Sequence, residues 1–148
     1  MSRVVLTGAA GFLGSHVAEA LAARGEDVVG RDNFDAFYPR EVKEANLARL
    51  RASPRFRLVE GDIRDAALVR RTLEGAGTVV HLAVRAGVRP SLADPELYAS
   101  VNVGGTTTLL EAALAAGIRA FVFAGSSSVY GDSAPVPFRE DYAATEPI

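Results

Sequence analysis

Short unbroken apolar runs alternate along the chain with longer stretches whose apolar residues recur every three to four positions. The runs predict strands at Arg3–Thr7, Asp27–Arg31, Phe56–Glu60, Thr78–Leu82 and Ala120–Ala124. The periodic stretches predict helices at Phe12–Arg24, Arg40–Ala52, Ala66–Glu74 and Glu96–Ala116. Each helix has its stop: Gly25, Ser53-Pro54, Gly75 with Gly77, and Gly117. Phe34 to Pro39 reads as a loop, and so does Val84 to Pro95, which holds two prolines. Tyr130 to Ile148 is polar, proline-bearing and without periodicity, and reads as an ordered loop of something that continues.

Because the strands are continuous apolar runs rather than alternating ones, they suit a parallel sheet buried on both faces. Right-handed crossovers through the helices then give an α/β, Rossmann-type doubly wound sheet, in order 3-2-1-4-5. Ligands of such sheets bind beyond the carboxyl ends of the strands, near the order reversal. The residues there are Gly8 to Gly14, Asp32-Asn33, Asp62-Ile63, Ala83 to Arg89 and Gly125 to Ser128.

Composition narrows the function. The length of 148 residues fits one domain, or one domain and a fragment of another. A net charge of −2 provides no basic field for nucleic acid or an anionic membrane. No apolar run reaches the roughly 20 residues of a membrane span. Without cysteine there is no disulfide, thiol nucleophile or thiolate metal site, and a reducing cytoplasm is the default location. Two separated histidines make no metal site. Lys43 is the sole lysine among the basic residues, which reads as genome composition.

The candidate chemistry begins at Gly8-Ala9-Ala10-Gly11-Phe12-Leu13-Gly14. Strand, glycine turn and helix in this order cradle a dinucleotide pyrophosphate. Gly8 permits the turn, Gly11 the approach of the phosphates, and Gly14 the close packing of the helix. The free N–H groups and dipole of the helix then meet the anion. Asp32 sits about 20 residues further on, where an acid accepts hydrogen bonds from the adenosine ribose. It favours NAD over NADP, although the neighbouring Arg31 offers a guanidinium to a phosphate; the bland alternative for Asp32 is a solvated turn acid. Asp62-Ile63 suits the edge and face of adenine, or Asp62 caps the helix beginning near Asp65. His81, inside an apolar strand, reads as a hydrogen-bonded core residue rather than a base. A serine of Gly125-Ser126-Ser127-Ser128 would hydrogen-bond a reacting hydroxyl, or the block is a polar turn.

Taken together, several blocks resemble the extended short-chain dehydrogenase/reductases, and within them the NAD-dependent sugar-nucleotide epimerase/dehydratase family. They are Thr7-Gly8-Ala9-Ala10-Gly11-Phe12-Leu13-Gly14, Asp32-Asn33-Phe34, Gly61-Asp62-Ile63-Arg64, His81-Leu82-Ala83, Asn102-Val103-Gly104-Gly105-Thr106 and Ser126-Ser127-Ser128-Val129-Tyr130-Gly131. Asp32 to Tyr38 and Ala86 to Ser91 look like the 4-epimerases acting on UDP-glucuronate. The serine block lacks the acid that the family's dehydratases use for water elimination.

The resemblance implies NAD as cofactor and a UDP-sugar as substrate. C4 of the sugar is transiently oxidised, and the hydride returns to the opposite face. It implies cofactor contacts from Gly8, Gly11, Phe12, Leu13, Gly14, Asp32, Asn33, Asp62, Ile63, Leu82, Ala83 and Asn102. Ser126 would bond the 4-oxygen as the catalytic residue of this chain, and Arg89, Ser91 and Ser127 would face the substrate. Homodimerisation through the helices flanking the fourth and fifth strands is also implied. The family's Tyr-x-x-x-Lys pair is absent; Pro147-Ile148 fits the start of the Pro-x-Ser-Pro-Tyr approach to it. The expectation is therefore that the tyrosine, its lysine, the last strand and a substrate domain lie beyond Ile148, so that this chain alone does not turn over. Rival readings are an NAD(P)-dependent dehydratase or reductase on the same frame, and a nucleotide-binding module without catalysis.

Overall fold

A computed structural model describes residues 3–142; the Pro147-Ile148 approach lies outside the described residues. Five parallel strands are β1 (Arg3–Thr7), β2 (Asp27–Asp32), β3 (Phe56–Glu60), β4 (Ala76–His81) and β5 (Ala120–Phe123). Their order is β3-β2-β1-β4-β5, as the alternation predicts. Helices α1 (Phe12–Ala23) and α2 (Arg40–Arg51) cover one face, and α3 (Ala66–Leu73) and α6 (Thr106–Ala115) the other.

Side-chain alternation along the strands divides the core in two. Val5, Val29 and Val79 pack with Val69, Leu73, Leu109 and Ala112. Leu6 and Val28 point the other way, onto Ala9, Ala18, Leu47 and Leu50. β1 is central and buried from Val4 to Thr7, which explains its unbroken apolar run. β5 is an edge strand, and Val122 and Phe123 are exposed on it.

Three details depart from the sequence reading. β4 starts at Ala76, because Gly77 sits in a β-bulge: Arg3 pairs with Ala76 but Val4 with Thr78. The segment Val84–Pro95 is not all loop, since α4 (Val88–Ala93) forms within it. Pro90 lies in the first turn of α4, where its missing N–H would have no helical partner anyway. The long helix expected over Glu96–Ala116 is present but composite. It begins as α5 (Pro95–Tyr98), widens into a π-helical stretch at Ala99–Gly105, and continues as α6. Such wide turns cluster at functional sites, and this one carries Asn102.

Candidate functional site

The end of β1 delivers the chain into Gly8, whose φ of +73° is a left-handed turn that favours glycine. The turn is tied to its neighbours: Ala9 N–H donates to Arg31 O at the end of β2, and Gly11 N–H to Gly8 O. A Cβ on Gly8 would lie 2.9 Å from Ala83 N. A Cβ on Gly14 would lie 1.9 Å from Gly8 O. Gly14 thus lets α1 pack directly on the turn, as the sequence reading proposes. No side chain caps the start of α1, so its first N–H groups face outward beside exposed Phe12 and Leu13. Gly30 on β2 completes the close packing, since a Cβ there would meet Ala9 Cβ at 2.7 Å. Its need for smallness follows from the packing of Ala9, which sequence alone does not show.

Asp32 ends β2 beside this turn and is buried. Its Oδ2 accepts from Ala10 N–H at 3.1 Å. Its Oδ1 accepts from Phe34 N–H at 2.8 Å and from Lys43 Nζ at 3.1 Å. The acid is no solvated turn residue; it clamps the glycine turn to β2. Phe34 takes a φ of 53°, unusual for a bulky residue, and its buried ring carries the Arg40 guanidinium 4.2 Å from its centroid. Lys43 is therefore structural at the site, a role the sequence reading does not assign to it. The signal was available: it is one turn into the helix that follows Asp32, and it is the only lysine.

Arg31 is 1% exposed and turned to the opposite face of the sheet. Its Nη2 donates to Asp62 O at 2.9 Å, and its Nη1 reaches Thr72 Oγ1 at 3.4 Å. Burial lowers its pKa, while Asp65 and Asp62 oppose that shift. A guanidinium committed there is not presented beside Asp32, so the phosphate-pairing role raised for Arg31 has no support in this geometry. Strand alternation already separates adjacent side chains.

Asp62 follows β3 and is filled with donors. Oδ1 accepts from Arg64 N–H and Nε, each at 2.9 Å; Oδ2 accepts from Arg64 Nη2 at 2.7 Å and Asn33 Nδ2 at 3.3 Å. The Arg64 guanidinium chiefly, with its backbone N–H and the Asn33 amide, holds the carboxyl down to about 2 against the opposing effect of burial. The cap of α3 is Asp65, which accepts from Leu68 N–H. Ile63 is buried with its side chain against Gly105, where a Cβ would meet Ile63 Cδ1 at 2.6 Å.

Beyond β4, Leu82 and Ala83 donate their N–H groups to Thr7 Oγ1. Asn102 closes a two-way pair with the Arg85 backbone: Arg85 N–H donates to its Oδ1 at 2.9 Å, and its Nδ2 donates to Arg85 O at 3.0 Å. The Arg85 side chain pairs with Asp35 from the loop after β2. Asn33, Asp35, Arg64, Arg85 and Asn102 thus bind the loops after β2, β3 and β4 into one rim. His81 is 2% exposed and bonded at both nitrogens, the core residue the sequence reading favours. Ser126 and Ser127 are exposed beyond β5; Ser126 Oγ accepts from Ser128 N–H and lies 2.9 Å from Ser128 Oγ. Arg89 and Ser91 lie on α4, where Ser91 Oγ donates to Val88 O. The structure brings the glycine turn, Asp32, Asn33 and the β4 end together. Among the described residues, no hydrogen bond or ion pair joins Arg89, Ser91 or the serine block to them.

Among the described residues, no helix is long and apolar enough to cross a membrane. Residues 4–148 match the model of the NAD dependent epimerase/dehydratase family. UDP-glucuronate 4-epimerase 3 of Arabidopsis thaliana is 45% identical over 147 residues, which cover 97% of this chain and 34% of that protein. A probable UDP-glucuronate 4-epimerase of Rhizobium meliloti is 38% identical across 99% of this chain and 43% of its own length. The chain therefore spans roughly a third to under a half of these relatives. The UDP-glucuronic acid 4-epimerase of Bacillus cereus, solved with UDP-glucuronic acid and NAD, superposes with a TM-score of 0.85 at 35% identity. That match covers 99% of this chain and 46% of the other. The dTDP-glucose 4,6-dehydratase DesIV of Streptomyces venezuelae, solved with NAD and TYD, gives 0.73 at 39% identity, over 80% of this chain and 38% of that one. Over nearly its whole length, this chain belongs to the NAD-dependent epimerase/dehydratase family.

Proposed function

We propose that this chain is the NAD-binding part of a sugar-nucleotide 4-epimerase that acts on UDP-glucuronate. The observation that carries the cofactor assignment is the cradle itself. Gly14 meets Gly8 where no Cβ fits, and the uncapped start of α1 opens at the point where strand order reverses. The donor set fits a dinucleotide. The N–H groups of Phe12 to Gly14 would take the pyrophosphate, with Gly8 and Gly11 admitting it. A carboxylate offers about four acceptor positions, and Asp32 uses three, leaving one on Oδ2 for a ribose hydroxyl. Asn33 and Ile63 would border the adenine, and Asp62 would meet its edge by exchanging the long Asn33 bond. Leu82, Ala83 and Asn102 would flank the inner half of the cofactor.

When bound, NAD supplies reversible hydride acceptance at sugar C4. What the chain itself does is bind, orient and exclude. The buried Asp32 charge disfavours a 2′-phosphate, and Arg31 is turned away from it. Ser126 Oγ, Ser127, Arg89 and Ser91 would meet the sugar nucleotide in the whole enzyme, which works as a dimer in the cytoplasm. The UDP-glucuronate preference rests on the relatives with that activity. Product analysis with UDP-glucuronate, using the enzyme that carries this segment, tests it. The 4-epimer is expected; a dehydrated or oxidised sugar would instead establish the dehydratase or reductase reading.

A further inference from the structure

His81 joins elements that sequence places far apart. Its Nδ1 lies 2.7 Å from Thr7 Oγ1, directly before the glycine turn, and its Nε2 lies 2.9 Å from Thr106 Oγ1 on the far side of the π-helical stretch. The proton positions in this chain of bonds follow from which atoms can only accept or only donate. Thr106 Oγ1 bonds Asn102 O at 2.6 Å, and a carbonyl only accepts, so the threonine hydrogen is committed there. Thr106 Oγ1 must then accept from His81, which places a hydrogen on Nε2. Thr7 Oγ1 already accepts from the N–H groups of Leu82 and Ala83, so its hydrogen is free for Nδ1. In a neutral ring with hydrogen on Nε2, Nδ1 is the acceptor, and every atom is satisfied. The other tautomer sets two hydrogens against each other at Thr7 and leaves Nε2 without a donor at Thr106. Burial of the ring, which disfavours its charged form, agrees with the neutral state.

We propose that His81 is a positioning residue for the cofactor site. As the neutral Nε2–H tautomer, it carries a directional relay from Thr7 through Thr106 to the Asn102 carbonyl. The relay locks three parts of the rim together: the glycine turn behind Thr7, the end of β4 through Leu82 and Ala83, and the wide helical turn whose Asn102 amide holds Arg85. Its consequence for binding rests on the NAD reading above. Thr106 gives a handle on the relay from outside the proposed contacts.

The test uses the enzyme that carries this segment, labelled with nitrogen-15. Long-range proton–nitrogen spectra without ligand should show a pyridine-type Nδ1 and a pyrrole-type Nε2 on His81. Thr106→Val removes the acceptor and should abolish that single-tautomer signature, while Thr106→Ser keeps it. Titrated with NAD, Thr106→Val should bind about tenfold more weakly, because a buried donor is left unpaired; Thr106→Ser should stay within about twofold of the unaltered enzyme. An Nδ1–H signature or a rapidly averaging ring in the unaltered enzyme would overturn the relay. Unchanged NAD affinity in a folded Thr106→Val would overturn its role in binding. If the unaltered enzyme ignores NAD, the cofactor reading fails, and the ligand-free spectra still decide the relay.

Discussion

Replacing Gly14 by alanine puts the heaviest demand on the geometry described here. The new Cβ would stand 1.9 Å from Gly8 O and 2.7 Å from Gly8 C, both inside the 3.0 Å that real Cβ atoms essentially never cross, the first by more than 1 Å. Neither contact is a flexible side chain; both are backbone of a turn held by Arg31 O and packed against Ala83. Relief must therefore push α1 off the sheet, opening the core around Ala9, Ala10 and Ala18. Overpacking of this kind costs about 3 kcal/mol or more. For a chain of this size that is a fall of roughly 6–12 °C in Tm. Two other glycines calibrate the effect. Gly25 has a φ of +89° but open space, so alanine there meets only backbone strain, about 1–2 kcal/mol. Gly104 has neither positive φ nor a neighbour within 4 Å, so alanine there should stabilise by about 0.4–1 kcal/mol through the unfolded chain. Calorimetric or far-UV melting of the three variants should rank Gly104→Ala above the unaltered chain, Gly25→Ala below it, and Gly14→Ala lowest. A Gly14→Ala chain melting within about 2 °C of the parent would refute the close-packing argument.

Lys43→Met should destabilise by about 3–5 kcal/mol, because it leaves the buried Asp32 carboxylate without its cation; urea unfolding measures this, and the double variant with Asp32→Asn should recover much of the loss. The pKa of Asp62 is lower folded than the ordinary 3.8, at about 2, so the unfolded state binds more protons between those values. The stabilisation is thus present above pH 3.8 and lost as pH falls to about 2, and the stability difference between the parent and Asp62→Asn should narrow across that window. Arg31→Met keeps much of the buried volume but frees Asp62 O; it should not lower affinity for NADP relative to NAD in titration, since the guanidinium does not face the Asp32 side.

Much of this was legible in the residues. Unbroken apolar strands between periodic helices predicted the parallel sheet and its order, and the glycine spacing predicted where α1 meets β1. The errors arose where meaning depended on a neighbour in space. Pro90 reads as a breaker until its place in the first turn of α4 is known, and Gly77 as a helix stop until its bulge is seen. Lys43 looked incidental because its partner is set by how α2 lies over β2. Thr7 and Thr106 fall inside the family-like blocks, but neither block shows that they meet through His81, and Arg85 carries no local signal; these roles come from elements that converge at one rim. The choice between capping and adenine recognition at Asp62 could not be made from spacing, and the structure gives the cap to Asp65.

On the proposed reading, the turn from Gly8 to Gly14 holds the pyrophosphate of NAD. An amide chemical-shift titration of the labelled chain with NAD, and separately with NADP, tests it residue by residue. NAD should move the amides of Gly8, Gly11, Phe12, Leu13 and Gly14 together with Asn33, and NADP should do so far more weakly. No shifts with NAD, or shifts centred away from the glycine turn, would contradict it.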